Sequence, residues 1–90
     1  MKWSISLSRD ASDFLVRNKV SEEEIFDLVR RSLFKFSGEN INVDIKKLKG
    51  AWSGFYRIRR RKLRVIVEFN FDNFSVFIEQ IDWRGSVYKN

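Results

Sequence analysis

Three arginines, Arg57, Arg59 and Arg64, are the residues of this sequence best suited to chemistry. They stand in two runs, Phe55–Arg59 and Leu63–Phe69, in which apolar and charged residues alternate. A period of two residues is typical of a β-strand and directs alternate side chains to opposite faces of a sheet. The spacing therefore predicts that all three guanidinium groups project from one face of a β-hairpin.

The turn of this hairpin decides which residues face each other. A turn centred on Arg61 and Lys62 places Arg59 opposite Arg64. Like charges directly opposite each other destabilise a sheet, and guanidinium groups bind carboxylates and phosphates. The pattern therefore indicates either an anion-binding site or a solvated outer face, and both interpretations stay open. Neither turn residue suits a tight primed turn, which favours Gly, Asn or Asp, so a longer loop or a bulge is an alternative.

The other face of the hairpin is apolar and is expected to join the core. Its residues are Tyr56, Ile58, Leu63, Val65, Val67 and Phe69. Trp52, just before the hairpin, is interpreted as a lid over the core rather than as a surface on which a base could stack.

Two helices are predicted before the hairpin. Arg9–Asn18 carries apolar residues on one face and follows Ser8, which can cap it. Ser21 and Glu24 fit a capping box at the start of a longer helix, and Gly38 is placed to end that helix.

Strands are also predicted near both ends of the chain. Lys2–Ser8 alternates apolar and polar residues, and Phe74–Ile81 is expected to be covered on both faces. The two faces of this last strand carry Val76 with Ile78 and Phe77 with Ile81. Residues 41–45 alternate only weakly, so a short extended piece there is an alternative. The order βααβββ predicts an α+β fold, with two N-terminal helices packed on a mostly antiparallel four-stranded sheet.

Composition limits the classes of function. The length of 90 residues fits a single domain spanning 1–90, and a hydrophobic content of 43% argues against disorder. The absence of Cys and His excludes disulfides, thiolate metal sites and a histidine base. No signal peptide or membrane span is predicted, so the expected location is the cytoplasm. A net charge of +6 favours polyanionic partners such as nucleic acid.

Several short motifs follow one another in a characteristic order. They are Leu48-Lys49-Gly50, Tyr56-Arg57-Ile58-Arg59, Leu63-Arg64-Val65-Ile66-Val67, Trp83-Arg84 and Val87-Tyr88. In this order they resemble the RelE/ParE superfamily of toxins from type II toxin–antitoxin systems, and in particular its RelE-like branch. The resemblance covers essentially the whole chain and implies a RelE-like microbial RNase-type fold.

The resemblance implies a ribosome-dependent endoribonuclease that cleaves mRNA in the ribosomal A site without a metal or other cofactor. The 2′-OH of a nucleotide attacks the adjacent phosphate and leaves a 2′,3′-cyclic phosphate. The implied partners are mRNA, the ribosome and a cognate antitoxin protein. The ParE branch instead poisons DNA gyrase, so a gyrase inhibitor is one alternative. A non-catalytic RNA- or protein-binding member of the same fold is another.

The resemblance also assigns roles to residues. Positive charge for the reacting phosphate would come from Arg57, Arg59, Arg64 and Arg84, and Tyr88 would stack on a base or transfer a proton. RelE-type sites often carry lysines at the positions of Arg57 and Arg59, and arginine, unlike lysine, effectively cannot lose its proton. The general base is therefore left open among Glu68, Asp82 and Tyr88. Further contacts with RNA are expected from Lys47, Lys49, Arg60, Arg61 and Lys62.

Overall fold

Two helices pack against one face of a five-stranded sheet in the computed structural model, which describes residues 2–83. The elements are β1 (Ser4–Leu7), α1 (Arg9–Asn18), α2 (Glu22–Phe36), β2 (Asp44–Lys47), a 3₁₀ turn (Gly50–Trp52), β3 (Tyr56–Arg60), β4 (Leu63–Asn70) and β5 (Ser75–Trp83). The strand order is β1-β5-β4-β3-β2. All neighbouring strands run antiparallel except β1 and β5, which are parallel.

The predicted α+β fold is confirmed, but the prediction of four strands was wrong. The additional strand is β2, which has four residues and pairs only with β3 at the edge of the sheet. Three of its residues, Asp44, Lys46 and Lys47, are charged, which is typical of an edge strand. Ile45 alone supplies an apolar side chain, so the alternation is too short to predict a strand.

Serine caps fix the start of each helix. The Ser8 hydroxyl accepts a hydrogen bond from the Ala11 N–H at 3.1 Å and donates to the Glu79 carbonyl at 2.6 Å. It therefore caps α1 and also joins this helix to β5. The Ser21 hydroxyl accepts from the Glu24 N–H at 3.2 Å at the start of α2, as predicted. Neither described helix is long and apolar enough to span a bilayer.

The core lies between the helices and the sheet. Its buried members include Phe14 and Leu15 of α1, Ile25, Leu28 and Val29 of α2, and Ile58, Val65, Val67, Val76 and Ile78 of the sheet. The predicted apolar face of the hairpin therefore points to the helices. The arginine-bearing face points away from both helices and is called the open face below.

One prediction for β5 was wrong: Ile81 lies on the same face as Val76 and Ile78. The ladder with β4 shifts at Glu79, which is an extra residue in β5 and reverses the alternation beyond it. Ile81 is therefore buried in the core, whereas Phe77 on the outer face of β5 is 36% exposed. The prediction that this strand is covered on both faces was therefore also wrong.

Candidate anion-binding site

The hairpin brings the three predicted arginines together on the open face. Arg59 pairs with Arg64 across β3 and β4, as predicted. The connection is a two-residue turn of Arg61 and Lys62, and Arg61 adopts a left-handed φ of +56°. The longer loop or bulge offered as an alternative is therefore absent from this turn. The pairing of the flanking strands imposes the turn although its residue types do not favour it.

A row of four charged residues crosses the open face. Asp44 pairs with Arg59, Arg59 with Arg64, and Arg64 with Asp82, each on a neighbouring strand. The adjacent arginines thus lie between two carboxylates, which offset the repulsion expected from like charges facing each other. Part of the anionic charge that the arginines require therefore comes from the protein itself.

Asp44 joins two of the arginines directly. Arg57 Nη2 donates to Asp44 Oδ1 at 2.7 Å, and Arg59 Nε donates to Asp44 Oδ2 at 2.9 Å. The side chain of Arg57 is only 10% exposed, against 31% for Arg59 and 46% for Asp44. The sequence analysis missed Asp44. The weak alternation of residues 41–45 was the signal, because it places Asp44 and Lys46 on the face opposite Ile45.

Arg57 retains one unsatisfied donor. Its Nε is buried and has no hydrogen-bond acceptor within residues 2–83. A buried donor without an acceptor costs about 1–3 kcal/mol, and more when the group is charged. Such a donor calls for an explanation, and an anion on the open face would supply the acceptor.

A small apolar cluster lies beside the arginines on the open face. Ile66, directly opposite Arg57, is fully buried although it lies on the open face. Leu48, Trp52 and Phe55 cover it, and the rings of Trp52 and Phe55 meet edge to face at 5.5 Å. Trp52 is therefore a lid, as predicted, but it covers Ile66 rather than the main core.

The other predicted RNA contacts fall in separate places. Arg60 points to the helix side, with its Nη1 3.8 Å from Asp27 Oδ2 of α2, so it does not share a face with the three arginines. Arg61 and Lys62 are exposed at the hairpin tip. Lys47 and Lys49, with Lys46 and Trp52, line a groove of about 250 Å³ beside β2.

The two carboxylates predicted for proton transfer differ in position. Asp82 pairs with Arg64, and its Oδ1 accepts from the Trp83 N–H at 2.7 Å. Glu68 is exposed four residues beyond Arg64 on the same strand, which corresponds to a distance of about 13 Å. Arg84 and Tyr88 lie outside the described residues. Residues 2–83 contain no cluster of three acidic side chains able to hold a metal ion.

The arginines of the open face can donate hydrogen bonds to an anion but cannot act as a base. Lys46, Arg57, Arg59 and Arg64 outnumber Asp44, Glu68 and Asp82 by one charge. Guanidinium groups remain protonated at neutral pH and present donors suited to phosphate oxygens. The arrangement therefore suits the binding of phosphate and the stabilisation of charge that develops on it.

Solved structures show the same fold. A metal-bound toxin from Helicobacter pylori has a TM-score of 0.71 and 14% identity, with 97% of this chain and 100% of that chain covered. The toxin–antitoxin complex RelBE2 from Mycobacterium tuberculosis has a TM-score of 0.61 and 20% identity, with 93% of this chain and 100% of that chain covered. The archaeal RelE–RelB complex from Pyrococcus horikoshii has a TM-score of 0.57 and 22% identity, with 96% of this chain and 99% of that chain covered.

These similarities show that the chain has the RelE-like fold, which the sequence resemblance implies. Sequence identities of 14–22% to these structures establish the fold alone. No protein-family model matches the sequence, and no curated protein matches it.

Proposed function

We propose that this protein is the toxin of a type II toxin–antitoxin system and cleaves mRNA on the ribosome without a metal. The observation that carries the proposal is the grouping of Arg57, Arg59 and Arg64 on the open face of a RelE-like fold. A charged strand face alone would also suit a solvated surface. Arg57 differs from a solvated arginine, because its side chain is 10% exposed and its Nε has no acceptor among residues 2–83.

In the proposed reaction the 2′-oxygen forms a bond to the adjacent phosphorus as the bond to the 5′-oxygen breaks. The 2′-OH loses its proton to a base, and the leaving 5′-oxygen gains a proton from an acid, which leaves a 2′,3′-cyclic phosphate and a 5′-OH. Negative charge on the phosphate oxygens increases towards the pentacoordinate transition state. Preorganised donors stabilise such charge, and removal of one donor typically lowers the rate about 10²–10³-fold.

Arg64 has the central place in this scheme. It lies in the middle of the charged row, between Arg59 and Asp82, so a phosphate above it would reach donors from two strands. Arg59 would bind the same or the neighbouring phosphate, and the buried Arg57 would add positive charge beside it. Asp82 faces Arg64 and is the nearer of the two described carboxylates in register, so it is the first base to test, with Glu68 second.

The roles of Arg84 and Tyr88 come from the resemblance alone. Arg84 would add a further positive charge to the phosphate, and Tyr88 would stack on a base or transfer a proton. Lys46, Lys47 and Lys49 line the groove beside β2 and would contact the RNA backbone further from the reacting phosphate.

The test is primer extension on mRNA from translating ribosomes exposed to the protein. Discrete cuts inside codons are expected with the natural sequence and should fall at least about 10²-fold with Arg64→Ala. Arg17→Ala is the matched control, because Arg17 is an exposed arginine of α1 away from the sheet. Undiminished cleavage by a folded Arg64→Ala variant would refute the assignment. Intact mRNA beside arrested growth would favour a gyrase inhibitor instead.

A non-catalytic anion-binding protein is the second candidate, and one observation favours it. Arg57 and Arg59 both contact Asp44, and neither can act as a base where RelE-type sites often carry lysines. This candidate predicts that RNA binds the open face and stays intact under the same conditions.

A cognate antitoxin is the proposed protein partner. Solved relatives of this fold include toxin–antitoxin complexes, and a net charge of +6 would accelerate association with an acidic chain. Cleavage of mRNA by the protein saturated with its antitoxin would contradict this role.

A further inference from the structure

Asp44 occupies the place on Arg57 and Arg59 that a phosphate would take. Each carboxylate oxygen accepts a hydrogen bond from a different arginine, at 2.7 and 2.9 Å. Carboxylates and phosphates are recognised by the same guanidinium donors. From this geometry we infer that Asp44 is an internal competitor of RNA phosphate. It orients the two arginines in the free protein and gives up Arg59 when RNA binds.

The two halves of this contact differ in their access to water. Arg57 is the inner partner, with a side chain 10% exposed, whereas Arg59 is 31% exposed. Exposed ion pairs contribute little because water and salt compete for both charges. The bond from Arg59 is therefore the one that an incoming phosphate replaces, and the bond from Arg57 keeps Asp44 in place.

The backbone before Asp44 is held from the helix side. Arg31 Nη2 donates to the Asn42 carbonyl at 3.3 Å, and Lys35 Nζ donates to the Val43 carbonyl at 3.2 Å. Both cations belong to the last half of α2 and hold the two residues that precede β2. Asp44 thus has a fixed backbone and can release Arg59 by a change of its side chain alone.

This competition should affect the binding of a small anion more than the binding of an RNA strand. A single small anion gains only the Arg59 contact and must compete with Asp44 for it. An RNA strand meets Lys46, Arg59 and Arg64 together, and the summed contacts displace the carboxylate. Asp44 would therefore weaken the binding of isolated anions more than that of a strand seated across the face. This inference rests on the proposed function only in naming RNA as the anion.

The test measures binding of a 2′-O-methyl oligoribonucleotide, which cannot undergo attack by a 2′-OH, by fluorescence anisotropy at several salt concentrations. Asp44→Asn keeps the shape of the side chain and removes its charge. It should lower Kd by about tenfold and steepen the salt dependence by about 0.7 in the slope of log K against log salt, the value for one added phosphate contact on a single strand.

Two matched variants separate competition from net charge. Asp13→Asn makes the same change of charge at an exposed site on α1 and should alter Kd less than about twofold. In an Arg59→Gln background the effect of Asp44→Asn should disappear, because the competition acts through Arg59. Equal or weaker binding by a folded Asp44→Asn variant would overturn the inference, as would an equal gain from Asp13→Asn.

Cleavage kinetics keep this inference separate from the proposed function. If Asp44 competes with RNA, Asp44→Asn lowers KM by about the factor by which it lowers Kd, whereas loss of a base would lower kcat. If ribosomal mRNA stays intact while Asp44→Asn still tightens binding, the proposed function fails and the competition stands. If the natural sequence cleaves mRNA and Asp44→Asn does not tighten binding, the competition fails and the proposed function stands.

Discussion

Removal of the Asp44 carboxylate should lower the free energy of unfolding by about 2 kcal/mol. The bond from Arg57 is short and poorly exposed, and a hydrogen bond to a charged group typically contributes about 1.5–3 kcal/mol. The more exposed bond from Arg59 should add less than about 1 kcal/mol. Asp44 is itself 46% exposed, so water recovers part of the loss and keeps the total at ~2 kcal/mol.

Urea unfolding followed by circular dichroism measures this difference. With a slope of about 1–3 kcal/mol/M, the midpoint for Asp44→Ala should fall by roughly 1 M. Arg59→Gln is the internal control, because it removes the outer bond and one of the two facing arginines, and it should cost less than about 1 kcal/mol.

Equal losses from the two variants would refute the distinction between an inner and an outer bond. An unchanged midpoint in Asp44→Ala would show that Arg57 finds water or another acceptor, and that the carboxylate does not hold it.

Two further predictions concern residues that surround the site. Ile66→Ala should lower the free energy of unfolding by about 2–4 kcal/mol, because Ile66 is fully buried beneath Leu48, Trp52 and Phe55. The control Ile66→Val should lower it by only about 0.5–1.5 kcal/mol. Equal losses for the two variants in urea unfolding would indicate that the cluster collapses around the cavity. Lys19→Gly should raise stability by about 0.5–1 kcal/mol, because Lys19 ends α1 with a left-handed φ of 55° that glycine adopts without strain; a lower melting temperature for this variant would contradict that explanation.

The hairpin could be predicted from sequence because two signals agree there. Apolar residues fix one face and arginines the other, so a shift of one residue in β3 or β4 would bury charge and expose core. That constraint overrides the turn, where Arg61 accepts a left-handed conformation that its residue type does not favour. The pattern of the two faces therefore predicts the pairing of Arg59 with Arg64, although the residue types of the turn favour a different connection.

The partner of the arginines could not be predicted in the same way. Asp44 begins a four-residue edge strand whose existence depends on pairing with β3 rather than on its own pattern. Its contacts with Arg57 and Arg59 span 13 and 15 residues, so neither follows from local spacing. Ile81 was placed on the wrong face for a related reason: a strict period of two cannot contain the extra residue at Glu79.

The parallel pairing of β1 with β5 sets when a newly made chain can finish folding. Ser8 and Glu79, which join α1 to β5, are 71 residues apart, a separation that takes about 4–14 s to translate at typical rates. The arginines and Asp44 lie within residues 44–64 and can come together earlier, because their contacts are closer in sequence. A chain interrupted before β5 would carry the arginines and Asp44 without the interior strand that joins β1 to β4.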